Sequence, residues 1–128
     1  MIQAIPSVEG DSEGMSTADL HFSKDHRFVY VSNRDGKNKN NPEGRDAIAL
    51  FEINDETGKL TFIGRFPCEK IPRSFTVGVE GKLLFVGGQG DAKLGVYQID
   101  QSNGHLTKIE QHVLPGNPRW ISAIPVPQ

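Results

Sequence analysis

The feature that most constrains this chain is a repeat. Pro72-Arg73 recurs 46 positions on as Pro118-Arg119. The same step carries Thr57-Gly-Lys-Leu-Thr61 onto Asn103-Gly-His-Leu-Thr107, and Ile48-Ala-Leu-Phe-Glu-Ile53 onto Leu94-Gly-Val-Tyr-Gln-Ile99. Three segments sharing one offset define a repeating unit. A period in the forties with Val, Ile, Phe and Tyr runs is that of β-propeller blades. No stretch keeps the i, i+3, i+4, i+7 spacing of a helix, so the chain reads as all-β.

Strand and turn signals divide the 128 residues into a leading part (1–16), a first blade (17–70), a second blade (71–116) and a trailing part (117–128). In the first blade, strands are expected at 18–22, 27–33, 47–54 and 59–66. In the second they are expected at 74–79, 82–87, 93–100 and 105–114. Phe28-Val-Tyr-Val31 aligns on Leu83-Leu-Phe-Val86 with an offset of 55 rather than 46, which locates an insertion between the second and third strands of the first blade. That insertion, residues 37–45, is rich in Lys, Asn and Gly and reads as a mobile surface loop. Single strands are expected at 2–5 and 120–124. The inventory is two complete four-stranded blades with a leading and a trailing strand, a partial ring. Blades bury their apolar faces only against neighbours, so the chain is expected to self-associate or to be a fragment completed by further blades.

Composition excludes several classes of function. With 14 basic and 16 acidic side chains the formal charge is −2, which gives no bulk attraction to nucleic acid or to an anionic membrane. No apolar run approaches the roughly 18 residues of a membrane span, and residues 1–6 lack the pattern of a secretory signal. One cysteine, Cys68, permits no internal disulfide, and a reducing cytoplasm is the expected compartment. Cys68 has no His/Asn constellation around it and reads as a packing residue. The acidic loop at residues 9–14 does not have EF-hand spacing. His26, His105 and His112 have no metal-ligand spacing, and no nucleotide-binding glycine pattern is present; no metal or cofactor is expected.

Blade topology picks out the polar residues of interest. The first strand of a blade leaves one face of the ring and the second returns to it. Residues at the start of the first strand and the end of the second therefore meet at that face. These are Asp19 and Arg34 in the first blade, Arg73 and Gln89 in the second, and Arg119 in the trailing part. His21, two residues from Asp19, shares its side of the strand. Arginine forks suit carboxylate or phosphate, Asp19 or His21 suits the role of general base toward water, and an arginine beside a carbonyl suits a developing oxyanion. The competing reading for each residue is structural: an Arg–Asp pair holding neighbouring blades in register, and a histidine satisfied on an inner strand.

Thr17-Ala-Asp-Leu-His-Phe-Ser23, Phe28-Val-Tyr-Val-Ser-Asn-Arg34, Pro72-Arg-Ser-Phe75, Leu84-Phe-Val-Gly-Gly-Gln89 and Gly116-Asn-Pro-Arg-Trp120 occur in an order and spacing that resembles the C-terminal part of the seven-bladed propeller lactonases. That family includes the propeller-type 6-phosphogluconolactonases, and carboxymuconate-lactonising enzymes are related to it. The resemblance implies hydrolysis of an anionic sugar lactone, or the related lactonisation of a muconate, at a cleft that carries over onto Asp19, His21, Arg34, Arg73 and Gln89. With Arg119 added by topology, Asp19, His21 and Arg73 are expected in catalysis and Arg34, Gln89 and Arg119 on the substrate. The family's chain is several blades longer. The alternative from another class is a non-catalytic propeller piece that binds a ligand or a protein.

Overall fold

The computed structural model describes residues 2–37 and 44–127. Eight strands form in chain order: β1 (Met15–Phe22), β2 (Phe28–Asp35), β3 (Ala47–Ile53), β4 (Leu60–Pro67), β5 (Ser74–Val77), β6 (Leu83–Gly88), β7 (Lys93–Ile99) and β8 (Leu106–Val113). They make two antiparallel meanders, β1-β2-β3-β4 and β5-β6-β7-β8. Most of the expected insertion loop, residues 38–43, lies outside the described residues.

The repeat extends to irregularities of pairing. Between β3 and β4 the register slips at Leu50/Phe51, leaving Ile63 unmatched. Between β7 and β8 it slips at Val96/Tyr97, leaving Ile109 unmatched. Ile63 and Ile109 are 46 positions apart, so both blades carry one bulge at one place. A bulge bends and twists the strand that bears it, and here it shapes the outer strands of both sheets alike.

The core lies between the two sheets. Phe28, Tyr30, Ile48 and Leu50 of the first sheet pack with Phe75, Leu84, Val86, Tyr97, Ile99 and Leu106 of the second. Alternate residues of β2 and β3 point the other way: Val29, Ala49 and Phe51 form a smaller cluster with Ile5, Val31, Ile53, Leu60 and Phe62. The middle strands are thus apolar on both faces, as a blade sandwiched between two others requires. Tyr30 crosses the sheet-to-sheet boundary and donates its buried hydroxyl to the Gly104 carbonyl at 2.7 Å. Tyr30→Phe leaves that carbonyl unpaired. It is expected to lower stability by about 1–2 kcal/mol in urea unfolding, with the fold unchanged.

Two expected strands do not form. Residues 2–5 run across the open face of the first sheet without ladder pairing. The Gln3 side chain takes the place of a strand there, accepting from Leu60 N–H at 2.8 Å and donating to the Leu60 carbonyl at 2.9 Å. Residues 120–124 are likewise irregular. A blade's inner strand is held by the strand that returns beside it, and among the described residues none pairs with this segment in a ladder. What remains is one bond, from Ile121 N–H to Ser74 Oγ at 2.9 Å. Trp120 and Ile124 are both about three-quarters exposed as a result.

Candidate functional site

A strand irregularity places Asp19. Thr17 pairs with Asn33 and Leu20 with Val31, so Ala18 and Asp19 both lie opposite Ser32. Ser32 Oγ accepts the Asp19 N–H at 3.1 Å. The bulge turns the Asp19 carboxylate toward the second sheet. There its Oδ2 accepts the Phe75 N–H at 3.2 Å and lies 3.3 Å from His21 Nε2, while its Oδ1 accepts the Leu20 N–H at 2.9 Å. His21 also stands edge-on to the Phe75 ring, with centroids 4.9 Å apart.

The Asp19–Phe75 bond repeats one blade on. Asp19 aligns with Ser74 through the offset of 55, and Phe75 aligns with Ile121 through the offset of 46. The Ser74–Ile121 bond is therefore the same joint between successive units, made once by a carboxylate and once by a hydroxyl. The structural role expected for an Arg–Asp pair is filled instead by Asp19 and a backbone amide. Among the described residues, none of Arg34, Arg73 and Arg119 makes a salt bridge.

Those three arginines and Asp19 line one open cleft of about 350 Å³, together with Thr17, Ala18 and Trp120. Arg34 is the last residue but one of β2, where its partner across the ladder is Ser16. Its Nε is buried and has no hydrogen-bond partner among the described residues. An unpaired guanidinium N–H in such a place costs free energy until an acceptor arrives. Arg73 precedes β5 and Arg119 holds the same position in the trailing part. Two residues of the expected set stand apart from this lining. His21 meets the cleft only through Asp19. Gln89 is tied by its backbone, its N–H to the Ile71 carbonyl at 3.1 Å and its carbonyl to the Asn117 side chain. Trp120 was not among the expected site residues; its position directly after the repeated Pro-Arg was the signal for it.

A further set of acids is buried between the strands. Asp46 is 3% exposed. Its Oδ1 accepts the Asp35 N–H at 2.8 Å and the Ile71 N–H at 3.1 Å. Burial holds this carboxyl above its ordinary value, against the pull of those two amides. Asp35, also buried, accepts from Arg45 Nε at 3.2 Å. Glu69, 3% exposed, accepts from Tyr97 Oη at 2.6 Å and pairs with Lys108 Nζ. Cys68 packs against the inter-sheet core, and burial pushes its thiol well above the ordinary value, the state of a packing residue rather than a nucleophile. No group of His, Cys, Asp and Glu among the described residues has the arrangement of a metal site, and no helix is long and apolar enough to cross a membrane.

The family described as "Lactonase, 7-bladed beta-propeller" matches residues 1–123. A 6-phosphogluconolactonase of Serratia proteamaculans is 27% identical over 125 residues, covering 97% of this chain and 35% of the relative. That of Blochmanniella pennsylvanica is 33% identical over 107 residues, covering 84% of this chain and 29% of the relative. A Bacteroides fragilis crystal structure, described as that of a candidate 6-phosphogluconolactonase, superposes with a TM-score of 0.79 at 27% identity. It is covered to 31% of its length by 93% of this chain. The chain thus spans about a third of the length of the relatives it matches.

Proposed function

The chain belongs to the seven-bladed β-propeller lactonase family, and from that premise we propose that it forms part of a hydrolase acting on an anionic sugar lactone of the 6-phosphogluconolactone type. The observation that carries this reading is the cleft where Arg34, Arg73 and Arg119 converge beside Asp19, none of the three in a salt bridge among the described residues. Arg34 and Arg119 hold the phosphate or carboxylate of the substrate. Arg73 faces the lactone carbonyl. Asp19 fixes the ring of His21 through Nε2, and the pair positions and activates a water. Water oxygen adds to the carbonyl carbon, and Arg73 offsets the charge on the resulting oxyanion. The ring C–O bond then breaks, the alkoxide takes up the proton that the Asp19–His21 pair removed from the water, and the open hydroxy acid leaves. No cofactor enters.

Completion of the site calls for further blades, from other copies or from additional chain. The open face of the first sheet supports this: Leu20 and Phe22 are about half exposed beside an apolar groove lined by Val31, Phe51 and Leu60. The absence of a cysteine pair favours a cytoplasmic setting. The test is hydrolysis of 6-phosphogluconolactone by the chain over a range of concentrations, followed alongside sedimentation. Turnover that rises with assembly is the expected result. Binding of 6-phosphogluconate without turnover at any concentration would replace the enzyme with a ligand-binding propeller piece.

A further inference from the structure

Asp46 lies outside the cleft, yet one of its oxygens joins the backbones on which the cleft arginines stand. Oδ1 accepts the N–H of Asp35, the residue after Arg34, and the N–H of Ile71, two residues before Arg73. The Asp46 carbonyl also accepts the Cys68 N–H at 3.2 Å. Ile71 continues the linkage. Its carbonyl accepts the Arg73 N–H at 2.8 Å and the Gln89 N–H at 3.1 Å, which places the backbones of Arg34, Arg73 and Gln89 within one hydrogen-bonded node.

The node is held in a conformation that its residue types do not prefer. Ile71 has φ of 52°, a left-handed backbone that is an outlier for a β-branched residue. Such a conformation persists only where its surroundings determine it. Pro72, fully buried, follows it. Without the Asp46 acceptor, Ile71 loses the bond on its N–H side, and the linker is free to leave the strained geometry that aims Arg73.

We propose that Asp46 is a positioning residue of the anion cleft, setting the relative placement of Arg34 and Arg73 through the Asp35 and Ile71 amides. The proposal rests on the reading of the cleft as an anion site. Small displacements suffice to matter, since an error of about 1 Å in a positioned group can cost on the order of a hundredfold.

The test compares Asp46→Ser, whose hydroxyl is too short to reach both amides, with Asp46→Asn, which keeps the acceptor and removes the charge. Backbone ¹⁵N order parameters of Arg73 are expected to fall from about 0.85 to below about 0.6 in Asp46→Ser and to stay rigid in Asp46→Asn. In titration with 6-phosphogluconate, Asp46→Ser is expected to lose at least about tenfold in affinity and Asp46→Asn less than about threefold. In an Arg34→Ala/Arg73→Ala background the Asp46→Ser loss disappears, which a general loss of stability would not produce. Unchanged order parameters and unchanged affinity in folded Asp46→Ser would overturn the proposal. If Asp46→Ser does not fold, Asp46→Asn decides: retention of affinity supports the role of the acceptor, and a loss beyond about tenfold in a folded protein overturns it. Absence of 6-phosphogluconate binding by the unaltered chain would defeat the anion reading of the cleft. The order parameters would still judge Asp46.

Discussion

Arg73→Ala is expected to weaken 6-phosphogluconate binding by about 10- to 100-fold, and to cost hydrolysis at least as much wherever turnover is measurable. The magnitude comes from hydrogen bonds to charged groups, about 1.5–3 kcal/mol each, with a factor of ten for every 1.4 kcal/mol. Arg73 is exposed, so solvent screening sets the lower end of that range. Two controls separate charge from geometry. Arg73→Lys keeps the charge but not the planar fork, and is expected to recover only part of the loss. Arg34→Ala removes a guanidinium whose Nε is already buried without a partner among the described residues; its loss of affinity is accompanied by no loss of stability. Titration calorimetry at two salt concentrations reads both effects. Affinity unchanged in Arg73→Ala would remove this arginine from the site.

Much of this arrangement is legible in the residues themselves, because propeller blades repeat in sequence as well as in space. The offset of 46 that joins Thr57-Gly58 to Asn103-Gly104 follows the chain into three dimensions as far as the matching bulges at Ile63 and Ile109. The convergence of Arg34, Arg73 and Arg119 follows from topology alone, since strand direction decides which ends share a face. Cys68 is legible too, as a lone thiol among apolar neighbours.

The parts that escape the sequence depend on partners distant along the chain. Residues 2–5 and 120–124 have strand composition, but a strand exists only where another offers its edge, and composition does not report that. Asp19 has the makings of a base, yet a bulge that no propensity signals turns its carboxylate onto the Phe75 amide. Asp46 and Glu69 sit between strands among polar residues and read as solvated loop. Their burial appears only when the turn after β2, the inter-sheet linker and the β6–β7 turn are brought together. The sequence-level division into loop and core therefore misplaces the acids that hold the cleft's frame.

Glu69 carries the larger expected effect on stability. It lies in the linker between the sheets with its side chain 1% exposed, Tyr97 Oη on one oxygen and Lys108 Nζ on the other. The space it occupies exists because two facing residues have no side chain. A Cβ at Gly95 would collide with its carboxylate, and one at Gly88 would sit 2.7 Å from its Cβ. Burial and the bond to Glu69 hold the Tyr97 hydroxyl protonated, well above its ordinary value. Glu69→Ala leaves a cavity, an unpaired buried hydroxyl and a lysine without its counter-charge. Breaking one side of a buried pair costs about 3–5 kcal/mol, and Lys108, 40% exposed, reaches enough water to keep the loss toward the lower figure. Glu69→Gln retains the acceptor for Tyr97 and is expected to lose about half as much in urea unfolding. The sharper measurement is a double-mutant cycle with Gly95→Ala. Alone, that substitution is strongly destabilising through its clash with Glu69; in the Glu69→Ala background the cost falls, because the new methyl group enters the vacated space. Additive losses would mean that the cost at Gly95 does not arise from the Glu69 carboxylate.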